Sequence, residues 1–206
     1  TPLYSSAASD VYKRQNLYGA DIEFGVAKNL SVGGMTTWIG IPILGTIKYS
    51  IPIDKKVGLA FGAIVGTASW ALVNQDYVGP KSIALPFAAF TVGDKSANFN
   101  ISVGYGAVRS KVENFNGSVS IISNETNGRF LMSFGGMKKF GKKVSFVFDS
   151  FLIPASGSKE GGGILIPGLR FQTQPNKAFQ FGFAGVFSQG VLVPFPIPFV
   201  QWYRKI

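Results

Sequence analysis

Hydrophobic and polar positions alternate strictly over residues 97–107, which read A-N-F-N-I-S-V-G-Y-G-A. Phe99, Val103 and Tyr105 belong to the apolar set, whereas amides, serine and glycine occupy the positions between them. Because successive side chains of a strand point to opposite faces, this pattern predicts a strand with one apolar and one polar face. A length of about ten residues is what a tilted strand needs to cross the hydrocarbon core of a bilayer.

The same alternation recurs along the chain and predicts an all-β protein. Near the C-terminus, for example, Phe179, Phe181 and Phe183 alternate with small or polar residues. A single alternating segment also fits a soluble sheet, so the interpretation depends on the repetition. The eleven predicted strands span residues 17–27, 30–40, 43–53, 57–70, 81–92, 97–109, 128–138, 143–153, 163–173, 178–188 and 196–205.

The connections between these predicted strands fall into two alternating classes. One class is short and rich in turn residues, and the other is mostly longer and polar. Short turns at one end and longer loops at the other are typical of an antiparallel up-and-down transmembrane barrel. The short connections are 27–30, 53–57, 93–96, 140–143 and 174–177, and the others are 41–43, 71–80, 110–127, 154–162 and 188–195.

Lysines concentrate at the end of the predicted barrel that carries the short turns. A basic rim there would lie against anionic phospholipid headgroups. The alternative explanation is that lysine is simply common in tight exposed turns. The lysines concerned are Lys28, Lys55, Lys56, Lys95, Lys138, Lys139, Lys142, Lys143, Lys177 and Lys205.

The first fifteen residues are predicted to differ in origin from the rest of the chain. Residues 5–15 resemble one reading frame of a translated sequencing adapter, and residues 1–4 fit a sample index with its flank. We therefore predict that 1–15 is a non-native segment and that 16–206 is a barrel domain that is incomplete at its N-terminus. On that prediction the sequence holds no information about a signal peptide.

Composition agrees with a barrel and argues against an enzyme. The 206 residues include 19 phenylalanines and 26 glycines, and glycine is unfavourable within helices. Cysteine and histidine are both absent, which removes disulfides, thiolate metal sites, the commonest general base and the commonest metal ligand. We therefore predict no enzymatic activity, no cofactor and no metal site.

Over residues 16–206 the chain resembles the bacterial outer-membrane β-barrel class. Its last segment, Pro196 to Ile206, is similar to the C-terminal assembly strand of such proteins, although Arg204 interrupts the apolar spacing of Val200, Trp202 and Ile206. Phe199 and Tyr203 form the alternative apolar face. The resemblance implies an outer-membrane location, contact with membrane lipids, and recognition of this strand by the barrel-assembly machinery.

Strand parity adds a further expectation. A single-chain bacterial barrel closes with an even number of strands and has both chain ends inside the cell envelope. Eleven strands would instead place Asn16 at the outer face. We therefore expect at least one strand before Asn16, at least twelve in the intact protein, and poor folding of residues 16–206 alone.

Two other architectures compete with the barrel. Residues 30–47 and 57–73 are uncharged over about a helix span, and Gly58, Gly62 and Gly66 form a G-x-x-x-G series, as in helical membrane proteins. These glycines also share one face of a strand. The other alternative is a soluble β-sandwich or lipocalin-like barrel, whose outer face should carry charges that these apolar faces lack.

Several polar residues are predicted to face the barrel lumen. They could line a solute path, or they could form a structural network that fills the lumen. The favoured function is passage of a small solute, and the alternative is a structural or adhesion barrel that acts through its surface loops. No basic stripe is interleaved with aromatics, so a nucleic-acid partner is not predicted. The predicted lumen-facing residues are Asp21, Glu23, Lys48, Asn98, Asn100, Arg129, Asp149 and Arg170.

Overall fold

The fold is described from a computed structural model that covers residues 11–16, 19–37, 42–68, 78–94, 96–116, 119–157, 160–174, 177–188 and 191–205. These residues form twelve antiparallel strands in a single sheet. Among them, no helix has the length and apolar character needed to cross a membrane. The strands are β1 (Val11–Asn16), β2 (Gly19–Ala27), β3 (Leu30–Thr37), β4 (Ile43–Asp54), β5 (Val57–Thr67), β6 (Gly79–Gly93), β7 (Ala97–Asn116), β8 (Val119–Phe140), β9 (Val144–Ile153), β10 (Gly162–Gln174), β11 (Lys177–Ser188) and β12 (Val191–Lys205).

The sheet closes into an up-and-down barrel. Every strand pairs with its neighbours along the chain, and β1 also pairs with β12. Eleven of these strands correspond to the eleven predicted from alternation. The additional strand, β1, consists of residues 11–15 of the segment predicted to be non-native together with Asn16, and it closes the sheet between β2 and β12. The adapter origin of residues 1–15 stays a prediction.

The outer face of the barrel is apolar. Pairing register places Ile47 opposite Ala63 on the next strand and Phe90 opposite Ile101, so the apolar sets of successive strands form continuous rows. Many of these side chains are exposed, including Phe61, Val65 and Val103. Among the described hydrophobic residues only Ala60 and Val147 are buried. An apolar exterior of this kind suits a hydrocarbon environment and not water.

The connection predicted at residues 110–127 is largely strand in the structure. β7 and β8 stay paired to Asn116 and Val119, whereas β6 pairs with β7 only as far as Lys111 and β9 pairs with β8 only from Met132. The hairpin therefore extends past its neighbours at the end with the longer connections. Its polar sequence resembles a loop, but the Asn-Gly pair at 116–117 is a strong signal for a hairpin turn.

The apolar connection predicted at residues 188–195 is also wrong. β11 ends at Ser188, which pairs with Val191 at the start of β12. Valine and leucine at 191–193 favour strand, which explains the longer ladder. Between Ala184 and Val186 the register shifts, since their partners Ile197 and Val193 are four residues apart, and the irregularity accommodates two extra residues on β12.

In the final strand, Val200 and Trp202 lie on the outer face of the barrel, as their spacing predicts. Val200 pairs with Phe181 and Trp202 pairs with Phe179, so both continue the outer apolar rows. Trp202 is 47% exposed, and its ring centroid lies 5.6 Å from that of Phe179. Phe199 pairs with Gly182 on the opposite face. Ile206 lies outside the described residues.

The orientation of β7 predicts that arginine is tolerated differently at the adjacent positions Val103 and Ser102. Val103 is 47% exposed on the outer face, whereas the Ser102 hydroxyl lies 2.6 Å from that of Ser133 inside the barrel. We expect Val103→Arg to lower the free energy of unfolding in bilayers by about 2–4 kcal/mol, the cost of an arginine at the bilayer midplane. Ser102→Arg should cost much less. Equal losses in denaturant titrations from lipid vesicles would mean that the faces are misassigned.

Candidate functional site

The candidate site is the interior face of the barrel, formed by the positions that alternate with the exposed apolar rows. The pairing register places the backbones of all eight sequence-predicted residues at such positions. The side chain of Asp21 lies outside the described part of the chain. Pairs across the interior face include Glu23 with Gly33, Asn100 with Gly135, Gly135 with Asp149, and Arg170 with Ser145.

Glu23 and Lys48 form an ion pair inside the barrel. Lys48 Nζ lies 2.7 Å from Glu23 Oε1, which also accepts a 2.8 Å hydrogen bond from the Ser31 hydroxyl. The pair spans β3, whose intervening residue on this face is Gly33. A Cβ atom at Gly33 would lie 2.7 Å from both Thr46 Oγ1 and the Ile22 carbonyl oxygen, so a side chain there would crowd the wall beside the ion pair. This contact neutralises one positive and one negative lumen charge.

Asn100 and Asp149 converge on Gly135. Their side chains come from the strands on either side of β8, and each Oδ1 atom lies 2.8 Å from the position that a Cβ of Gly135 would occupy. Asp149 is exposed to solvent. The neighbouring Ser102–Ser133 hydroxyl contact continues this polar wall from β7 to β8. The wall can exchange hydrogen bonds with a solute or with water.

Arg170 forms the most extensive bridge on the interior face. Its Nε and Nη2 atoms donate to Gln180 Oε1 at 3.1 and 2.8 Å, and Nη1 lies 3.9 Å from Met137 Sδ on β8. The guanidinium therefore reaches across β9, where Val147 lies between Met137 and Gly168 in the register. Gln180 is only 1% exposed, so this part of the interior is closely packed.

Buried interior residues occur toward the end of the barrel that carries the short turns. They belong to β5, β6, β9, β11 and β12, and each lies in the part of its strand nearest a short turn or the C-terminal end of β12. The buried residues are Ala60, Thr91, Ser145, Val147, Gln180 and Gln201. The polar members of this set, together with Arg170, are called the polar ring.

The interior opens toward the other end of the barrel, which we call the loop end. Phe151 is 51% exposed although it belongs to the interior face, and its register partner Ile164 is also exposed. Leu85 and Leu131 cover the backbone at Gly104 and Gly106. The loop-end half of the interior wall, which we call the vestibule, therefore carries apolar side chains that include Leu85, Leu131, Phe151 and Ile164.

Two of the predicted residues, Arg129 and Asn98, make their hydrogen bonds away from the polar ring. Arg129 Nη1 donates a 2.7 Å hydrogen bond to the carbonyl of Glu160, in the connection between β9 and β10 at the loop end. Asn98 Nδ2 donates to the carbonyl of Asp94 at 3.0 Å, in the short turn between β6 and β7. Arg129 thus holds a loop near the vestibule, and Asn98 holds a turn.

Sequence analysis missed several participants in the interior contacts. Gln180, Met137 and Ser31 lie at interior positions of predicted strands, so alternation alone could have selected them. Among the described residues no group of three or more His, Cys, Asp or Glu side chains is placed to hold a metal ion.

The turn between β6 and β7 adds a fixed negative charge to the turn end. The Asp94 carboxylate accepts hydrogen bonds from the Ser96 hydroxyl at 2.5 Å, from the Ser96 amide at 2.8 Å and from the Ala97 amide at 3.1 Å. These bonds, the Ser96 hydroxyl foremost, lower the pKa of Asp94 to about 2. Lys56 Nζ lies 3.8 Å away in the neighbouring turn and adds a smaller contribution.

The chain matches no protein-family model and no curated protein. It is similar in structure to the NanC porin, with a TM-score of 0.58 and 12% identity over 95% of this chain and 97% of that chain. It also aligns with the toluene transporter TbuX of Ralstonia pickettii, with a TM-score of 0.47 and 6% identity over 96% of this chain and 88% of that one. The likeness to the porin supports the barrel fold.

The Asp94 turn gives a prediction about charge at the turn end. Ser96→Ala removes the hydroxyl that contributes most to the low pKa, so the pKa of Asp94 should rise from about 2 toward 3.8. Lys56→Gln should raise it less. Any stability gained from this turn is fully present above pH 3.8 and is lost as the pH falls toward 2. A carboxyl-carbon NMR titration measures both shifts, and an unchanged pKa in Ser96→Ala would contradict the assignment.

Proposed function

We propose that this protein is an outer-membrane pore or facilitator for small solutes. The main supporting observation is the exposure of Phe151, Ile164 and Asp149 at interior positions toward the loop end, which supports a lumen that is open at that end. The similarity to a porin fold agrees with this proposal.

The arrangement of the interior supports a selective path. A solute entering from the loop end first contacts apolar wall residues such as Leu85 and Leu131, and then the hydrogen-bonding groups of the ring. Arg170 and Gln180 lie in the closely packed part of the interior, which we propose as the narrowest part of the path, so they would screen solutes by size and by hydrogen bonding. No covalent chemistry is required for this role.

The predicted lumen-facing residues carry equal numbers of acidic and basic side chains. Glu23 and Lys48 form an ion pair, and Asp21 and Asp149 balance the charges of Arg129 and Arg170. The lysines of the short turns then make the turn-end mouth positive. A weak preference for anions follows, since the rim charge is exposed and screened by salt.

The outer face supports placement in the bacterial outer membrane. Its apolar rows match the hydrocarbon layer, and the turn-end lysines match anionic headgroups. We further propose that the barrel-assembly machinery recognises the C-terminal segment from Pro196 to Ile206. The outward position of Val200 and Trp202 supports this role because it makes both side chains accessible at the barrel surface.

A structural or adhesion barrel is the second candidate function. The ring of buried side chains at the turn end favours it, because such a ring could close the lumen completely. The β7–β8 hairpin, which extends beyond its neighbours, offers a surface for contact with another molecule. Conductance separates the two candidates.

Planar-bilayer recordings of the purified protein should show small pores with a weak anion preference. At about 1 M salt, where the Debye length is about 3 Å, screening should remove that preference. Changing Lys138, Lys139, Lys142 and Lys143 together to Glu should shift selectivity toward cations. Absence of conductance would favour the structural barrel, and strong cation selectivity of the unmodified protein would refute the charge assignment.

The ring itself can be tested with a single substitution. Arg170→Ala removes the side chain that bridges β8 and β11 across the narrowest part, so single-channel conductance should increase. Arg129→Ala removes the same charge at the wider loop end and serves as the matched control, with a small expected change. If the two variants conducted alike, the constriction would not be at Arg170.

A further inference from the structure

We propose that a groove on the outer surface binds one anionic phospholipid, with an acyl chain along the groove and the phosphate on Lys138. The inference rests on the membrane location given under the proposed function, but it concerns a separate surface from the lumen. The groove has a volume of about 380 Å³ and crosses four strands, β6 to β9, at the turn end. Its lining residues are Val92, Gly93, Ala97, Asn98, Phe99, Met137, Lys138, Phe146 and Phe148.

Three phenylalanines form the apolar wall of the groove. Phe99, Gly136 and Phe148 are register partners on the outer face, so the residue between two of these phenylalanines has no side chain. A Cβ atom at Gly136 would lie 2.7 Å from the Phe148 ring, so this ring lies over the glycine, and its centroid is 6.4 Å from that of Phe99. Phe148 also contacts Phe146, with centroids 6.3 Å apart. Aromatic rings that lie close to the barrel surface form an apolar wall along which a hydrocarbon chain can pack.

Small residues keep the groove open toward the turn end. Ala97 is the register partner of Lys138, and Gly93 adopts a φ of 118°, a conformation that favours glycine. A Cβ atom at Gly93 would collide with the carbonyl oxygen of Ala97. The turn therefore stays narrow, and the groove is not capped by a bulky side chain.

The basic residues at one end of the groove indicate the charge of the lipid headgroup. Lys138 is exposed on the outer face, where it pairs with Ala97 and Phe146 at the end of the apolar rows. The described residues give Lys138 no ion pair, whereas the nearby Lys56 is already 3.8 Å from Asp94. Exposed Lys142 and Lys143 follow in the next turn. A lipid that seats its chain between the phenylalanines would bring its phosphate to this cluster, which favours a headgroup with net negative charge.

Lipid retention in native mass spectrometry tests the proposal. The full chain, purified in detergent, is exposed to equal amounts of phosphatidylglycerol and phosphatidylcholine with identical acyl chains. We expect one retained phosphatidylglycerol in preference to phosphatidylcholine. Lys138→Gln should reduce that preference about fivefold, which corresponds to about 1 kcal/mol per basic residue near a lipid surface. Lys177→Gln, an exposed lysine at the turn end of β11, is the matched control and should leave the preference unchanged.

A second variant tests the groove independently of charge. Ala97→Phe places a ring in the groove and should abolish retention of both lipids, whereas Ala84→Phe adds the same ring to the outer face of β6, outside the groove. Equal retention of the two lipids by the unmodified protein would overturn the proposal, as would an unaltered preference in Lys138→Gln. Recovery of the protein as a soluble monomer without detergent would instead refute the membrane location. If Ala97→Phe does not fold, the Lys138→Gln comparison decides.

Discussion

Closure of the backbone hydrogen-bond network is the constraint on which the rest of this structure depends. A sheet that faces hydrocarbon has no water to satisfy its edge groups, so every strand needs two partners. β1 provides the final partner for both β2 and β12, although it is only six residues long. Once the sheet is closed, alternation sorts every side chain to the outside or the inside, and the apolar exterior and polar ring follow from that sorting.

The interior contacts depend on where glycine occurs in the register. Across β8, Gly135 leaves room for Asn100 and Asp149 to approach each other, and across β3 a side chain at Gly33 would crowd Thr46 beside the Glu23–Lys48 pair. With a bulky residue at Gly135, Asn100 and Asp149 would be kept apart by the intervening strand. Small residues therefore organise the polar wall while keeping part of the lumen open.

The sequence predicted the strands and their faces well because the period of two is a local property. Val103 and Ser102 can be assigned to opposite faces without any knowledge of the strands beside them. Contacts between strands cannot be predicted in this way, since Arg170 meets Met137 only through the registers of β8, β9 and β10. The long β7–β8 hairpin was missed for a related reason. Its polar residues form a ladder that resembles a loop in composition, and the closing strand β1 lay in a segment judged non-native.

Two consecutive glycines on β8 make room for neighbouring side chains on opposite faces of the barrel. Gly135 faces the interior, where its missing side chain admits Asn100 and Asp149, and Gly136 faces outward, where its missing side chain admits the Phe148 ring. A Cβ atom at Gly135 would lie 2.8 Å from both polar oxygens, and one at Gly136 would lie 2.7 Å from the Phe148 ring. The two positions are adjacent in sequence but lie on opposite faces. A substitution at Gly135 should therefore disturb the polar wall inside the barrel, whereas one at Gly136 should displace Phe148 on the outer face, so this pair separates the proposed passage of solutes from the proposed lipid binding.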